Sequence, residues 1–124
     1  MVGLKQKNLV IELEDGEKIV PSLESALKEH EVGRALLQSI QGRIRSAKLG
    51  MFVSGRHRIR HYLESLSVKT AFGDFTLDKS KLVGNVNVCL EKDIIHSVSG
   101  VLLEGEADGS LTITLRVPEK VRFA

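Results

Sequence analysis

With 124 residues, 42% apolar and 27% charged, the chain has material for one core, so a single domain over 1–124 is expected; no apolar run approaches the roughly 20 residues that span a bilayer. No charged-then-apolar leader opens the sequence, so a soluble cytoplasmic protein is expected, and the lone cysteine, Cys89, excludes an internal disulfide or a cysteine-rich zinc site and reads as a buried, inert thiol between Val88 and Leu90. The formal net charge is only +2, yet residues 31–61 carry Arg34, Arg43, Arg45, Lys48, Arg56, Arg58 and Arg60 against the single acid Glu31, with His57 and His61 interleaved, a clustering that can form a phosphate-binding surface.

Asn8 to Glu14 alternates around Leu9, Ile11 and Leu13 before the Asp15-Gly16 turn pair, which predicts an opening strand. Pro21-Ser22 is a helix start with Ser22 as N-cap. Leu23, Ala26 and Leu27 then repeat at helical spacing to about His30, with Glu24 near the beginning and Gly33 as the stop. Ala35 to Ile40 reads as a buried strand, and residues 43–53 as an alternating one whose phase slips near Ser46, the signature of a bulge. Ser54-Gly55 is a hairpin turn into a strand from Arg56 to Val68, with Arg56, Arg58 and Arg60 on one face and His57, Ile59 and His61 on the other. Further strands are expected over Val68–Phe75, Leu82–Glu91, Ile94–Glu104 and Leu111–Val117. Turns at Lys92-Asp93 and Asp108-Gly109 would make the last three an antiparallel meander.

Several pieces of the chain, in order, resemble one known family. They are Val10-Ile11-Glu12-Leu13-Glu14-Asp15-Gly16-Glu17, then Leu36-Leu37-Gln38-Ser39-Ile40-Gln41-Gly42-Arg43-Ile44-Arg45, then Tyr62-Leu63-Glu64-Ser65-Leu66-Ser67. Last come Leu82-Val83-Gly84-Asn85-Val86-Asn87-Val88-Cys89-Leu90 and Ser99-Gly100-Val101-Leu102-Leu103-Glu104-Gly105. From about Leu9 to Val117 this order is similar to the PPC domain, the plants and prokaryotes conserved domain. That family usually reads His-x-His and then Gly-Gly-His-Leu where this chain has Asn85, Asn87 and Val101. The resemblance implies an α+β fold, a mostly antiparallel twisted sheet flanked by one main helix, and assembly as a homotrimer.

The departures weigh on function. Carboxamides are poor zinc ligands and valine is none, so no metal and no other cofactor is expected. Asn85 and Asn87 on one strand face, with Glu64, are candidates for a polar pocket near a trimer interface, while His96 reads as a turn or surface residue. No Gly-x-Ser-x-Gly elbow, Cys–His pairing or phosphate loop occurs, and nothing argues for an enzyme. Plant members of the family reach DNA mainly through a separate AT-hook, and no such element occurs in these 124 residues. Arg56, Arg58 and Arg60, however, would stand about 7 Å apart along one strand face, close to the phosphate spacing of a nucleic acid, with Arg43 and Arg45 nearby. An edge strand whose arginines discourage aggregation is the competing reading. Tyr62 is the only tyrosine, which argues against stacking on single strands. The sequence thus reads as a non-enzymatic trimeric binding protein, with non-specific DNA or another anionic ligand as the leading partner. The alternative is a trimeric small-molecule-binding or structural protein with no nucleic-acid role.

Overall fold

The computed structural model describes residues 6–79 and 81–118. In chain order its elements are β1 (Gln6–Leu13), α1 (Ile19–Glu29), β2 (Arg34–Val53), β3 (Arg56–Tyr62), β4 (Leu66–Asp78), β5 (Lys81–Val83), β6 (Asn87–Glu91) and β7 (Ser97–Pro118). All strand pairings among the described residues are antiparallel, so the α+β class holds, with most of the structure in sheet and one helix.

The two longest strands, β2 and β7, pair with each other from Leu36 opposite Arg116 to Gly50 opposite Val101. The other edge of β2 takes β4 and then β3; the other edge of β7 takes β6 and then β1. Because β6 also pairs with β4, the strands β2, β4, β6 and β7 form a closed circuit. Their inward side chains, among them Ile44, Leu49, Leu66, Phe75, Leu90, Leu102 and Ile113, make one buried cluster, to which α1 adds Ile19, Leu23 and Leu27 at i, i+4 and i+8. Each such side chain removed from water contributes about 1.5–3 kcal/mol before ordering costs. No polar or charged residue is buried among the described residues.

Several expected boundaries move, each for a local reason. β2 is one strand of 20 residues, because the irregularities at Gly42 (φ +136) and Ser46 (φ +52) bend it and shift its register against β7 without reversing it. The phase slip near Ser46 is this bulge. Asp108-Gly109 is likewise no turn: Gly109 (φ +76) sits inside the 22-residue β7, and its N–H is diverted to the Asp15 carboxylate. A two-residue hairpin turn of type I′ takes two successive residues with positive φ, which is what Ser54 (φ +50) and Gly55 (φ +76) supply between β2 and β3. The strand expected over Leu82–Glu91 is cut at Gly84, where φ is +135 and an added Cβ would collide with the Asp74 carbonyl oxygen. The strand expected from Arg56 to Val68 stops at Tyr62, and β4 begins at Leu66.

The helix begins four residues earlier than the Ser22 cap would place it. Lys18 is the N-cap, Pro21 lies in the first turn where its missing N–H costs nothing, and the Ser22 hydroxyl donates back to the Lys18 carbonyl. Glu24 therefore lies beyond the first turn, where it pairs with Lys28 at 3.0 Å. The stop is not Gly33 but Glu31, at φ +52: its N–H reaches the Lys28 carbonyl and that of Val32 reaches Leu27, a Schellman closure built on a residue type that dislikes it. Glu31→Gly should therefore raise the unfolding free energy by about 0.5–1 kcal/mol, whereas Gly84→Ala should lower it by about 2–3 kcal/mol. Urea unfolding of the two variants beside the wild type checks both signs.

Candidate nucleic-acid interface

Past Leu49, the last buried residue of β2, the end of β2 from Gly50 to Val53 and most of β3 form an exposed hairpin, with β3 at the edge of the sheet. Directly opposed residues of an antiparallel pair share a face. Arg56 lies opposite Val53, Arg58 opposite Met51 and Arg60 opposite Leu49, which is buried. The arginine face is thus the core-facing side of the sheet, continued beyond the point where the core ends. On the other side, His57 lies opposite Phe52, with ring centroids 5.1 Å apart and edge-on, Ile59 opposite Gly50, and His61 opposite Lys48. Among the described residues, Arg56, Arg58 and Arg60 have no acidic partner within salt-bridge distance.

Arg43 and Arg45, expected to join them, are engaged elsewhere. Arg45 Nη1 stands 2.8 Å from Asp15 Oδ1 and 3.3 Å from Asp108 Oδ1, and its Nε 3.3 Å from Glu106 Oε2. Arg43 donates from Nε to the Ser65 hydroxyl (2.9 Å) and from Nη2 to the Ser65 carbonyl (3.0 Å), and the Ser65 hydroxyl donates in turn to Asp108. One guanidinium inside three carboxylates leaves no positive charge for a ligand, so Arg45 locks the β1–α1 turn to the bulge of β7 instead. The Gly109 N–H, and after it the Arg45 guanidinium, hold the Asp15 carboxyl below its ordinary value. Arg34 is also neutralised, by Asp74 at 2.9 Å.

The expected polar pocket does not assemble within one chain. Asn87 is half-buried on β6, its amide 3.5 Å from the Phe72 carbonyl, but Asn85 is exposed in the connection after Gly84, outside the strand. Glu64 pairs with Lys92 at 3.5 Å and lines a different hollow, beside Tyr62, Leu66 and His96. Cross-strand register does bring Asn87 opposite Val101, so two of the three positions where the family carries histidine are neighbours. A carboxamide beside an isopropyl group does not fit a zinc ion. His96 closes the 92–96 turn with its Nδ1 2.8 Å from Asp93 Oδ1.

Cys89 is half-buried rather than buried, because Val88 and Leu90 on either side face the core and strand alternation turns the residue between them outward. It lines a hollow of about 460 Å³ with Phe52, Phe72 and Val101 on the outer side of the sheet. Sequence reading missed this surface, since its members come from four strands and only the register unites them.

Comparison with known proteins places this geometry. Residues 2–117 match the profile of the Plants and Prokaryotes Conserved (PCC, or PPC) domain. No curated protein matches the chain by sequence. Among solved structures, a plant- and prokaryote-conserved protein from Pyrococcus horikoshii superposes with a TM-score of 0.80 at 18% identity, covering 98% of this chain and 85% of its own. A metal-containing protein from Archaeoglobus fulgidus gives 0.77 at 22% identity, over 98% and 89% of the two chains. A candidate DNA-binding protein from Ralstonia eutropha gives 0.72 at 14%, over 91% and 78%.

Two outcomes are expected from these contacts. The depressed Asp15 carboxyl contributes stability that is present above its unfolded value, near pH 4, and is lost as the pH falls through the lower folded one. Asp15→Asn should therefore flatten the acid limb of urea midpoints below about pH 4, and parallel limbs would contradict the assignment. Elemental analysis of protein grown with zinc should find far less than one ion per chain, since Asn85, Asn87 and Val101 offer it no anionic or imidazole donor.

Proposed function

The chain belongs to the Plants and Prokaryotes Conserved domain family, and from that premise we propose that it is a cytoplasmic, single-domain, homotrimeric binding protein without enzymatic activity, whose arginine strand holds the phosphate backbone of duplex DNA. The observation that carries this reading is the face of Arg56, Arg58 and Arg60: three exposed guanidinium groups at alternate positions of one strand, with no acidic partner among the described residues. The other arginines nominated by the sequence are engaged within the chain, Arg45 by three carboxylates and Arg43, itself exposed, by the hydroxyl and carbonyl of Ser65. A relative named as a candidate DNA-binding protein supports the same direction.

Guanidinium groups spaced about 7 Å apart match successive phosphates along a strand and read no base edges, so binding is non-specific in sequence. Three copies of the strand in one assembly turn weak contacts into usable avidity. The competing reading, a trimeric small-molecule-binding or structural protein, is favoured by the edge position of β3, where arginines also prevent strand-to-strand aggregation.

Affinity for random-sequence duplex should fall steeply between about 50 and 200 mM salt. Changing Arg56, Arg58 and Arg60 together to Gln should reduce the slope of log affinity against log salt by about one for each phosphate left without its arginine, with the assembly intact. Equal binding by wild type and triple variant, or none by either at about 50 mM salt, would assign the arginines to edge protection and favour the competing reading.

A further inference from the structure

The free edge of β3 carries ladder groups that no described residue uses. Ser54 and Gly55 make a two-residue turn, so Val53 and Arg56 close it as a hydrogen-bonded pair, and bonded and non-bonded pairs alternate from there along the hairpin. Arg56, Arg58 and Arg60 belong to bonded pairs and direct their N–H and C=O groups at β2. His57, Ile59 and His61 belong to the others and turn theirs away from β2, toward the open side. β3 ends the strand order, pairs among the described residues with β2 alone, and is exposed from Arg56 to His61. Three N–H and three C=O groups of an antiparallel edge are thus open, beside three arginines that have no acidic partner among the described residues.

An arginine edge refuses most strands and selects one kind. A second copy of β3 would bond through the same odd-numbered residues, which sets arginine opposite arginine on one face, so charge excludes the chain's own edge. A strand with an acid at every second position meets the reverse, since its carboxylates stand opposite Arg56, Arg58 and Arg60. Those are the pairs that the added ladder leaves non-bonded, where Cα atoms approach to about 4.5 Å instead of about 5.5 Å and side chains are closest. The residues between the acids fall opposite His57, Ile59 and His61, where apolar ones bury surface against Ile59, itself 63% exposed. We propose that the free edge of β3 takes up an extended peptide segment of alternating acidic and apolar residues as an added antiparallel strand. A duplex can use only the guanidinium groups; the added strand uses these and the open ladder as well. The inference stands without duplex binding and goes beyond it: both partners need the same three arginines, so they exclude one another, and such a segment closes the basic face to phosphate.

The probe is a fluorescently labelled peptide of about nine residues, one beyond each end of the seven-residue β3, in which Glu and Val alternate. Fluorescence anisotropy at about 50 mM salt should show it bound by the wild type, and a peptide of the same composition with its Glu residues in one block bound at least about tenfold more weakly. Bond direction gives a second readout. In the added strand the Val N–H groups point at β3 and the Glu N–H groups point away, so N-methylation of the Val amides should weaken binding at least about tenfold, and N-methylation of the Glu amides less than about threefold. On the protein, Ile59→Pro removes an edge-facing N–H and leaves the bonds to β2 in place; it should weaken peptide binding at least about tenfold and leave any binding of duplex unchanged. Should that variant fail to fold, the methylated peptides decide. Equal binding of the alternating, blocked and both methylated peptides would show the arginines acting as charges alone and overturn the strand addition. Absence of peptide binding, whether or not duplex binds, would overturn it too. Peptide binding with the expected preferences by a protein that ignores duplex would uphold it and overturn the duplex reading instead.

Discussion

β2 and β7 run antiparallel from Leu36 opposite Arg116 to Gly50 opposite Val101, and the sheet is docked on the two free edges of this pair. On the β2 edge sit β4 and β3, on the β7 edge β6 and β1, and the β4–β6 ladder joins the two edges around the core. That closure removes two would-be sheet edges and leaves β2 longer than the core needs. The surplus, from Gly50 to Val53, is what carries β3 out into solvent. The exposed hairpin thus follows from the length of β2 and from the end of the circuit at Leu49 and Leu102, the last buried pair.

Once the hairpin extends past the core, strand alternation alone separates its chemistry. Odd-numbered positions of β3 look toward the outer side of the sheet and present His57, Ile59 and His61; even-numbered ones present Arg56, Arg58 and Arg60. Several other basic groups among the described residues have acidic partners: Arg45 has Asp15, Glu106 and Asp108, Arg34 has Asp74, Lys28 has Glu24, Lys48 has Glu104, Lys69 has Glu91 and Lys92 has Glu64. A net charge of +2 therefore conceals a concentrated positive face and a broad uncharged one. Solvent screening makes the exposed pairs individually weak, but they decide where unbalanced charge remains.

Much of this was legible in the sequence, and the failures share a cause. The apolar positions Leu23 and Leu27, the slip at Ser46, the Ser54-Gly55 turn and the two-faced arginine strand are local patterns, and local patterns survive folding. The continuity of β2 and β7 was not legible, because Gly42 and Asp108-Gly109 look like chain reversals until their hydrogen-bond partners are known. Arg45 sits among arginines in sequence, but the carboxylates that neutralise it come from 30 and about 60 residues away. Asn85 and Asn87 look like neighbours on one strand face, because nothing local reveals that the backbone at Gly84 passes too close to the Asp74 carbonyl for any side chain to fit. The hollow around Cys89 is the extreme case, each of its residues ordinary in its own strand and brought together only by register.

The central claim is that the unbalanced arginines of the hairpin, and not the paired ones, meet phosphate. Nuclear magnetic resonance of the arginine Nε–H groups during titration with a short random-sequence duplex at low salt tests it directly. The resonances of Arg56, Arg58 and Arg60 should shift progressively while those of Arg34 and Arg45, held by their carboxylates, stay in place. Movement confined to other arginines, or no movement at a duplex concentration that saturates the protein, would contradict it.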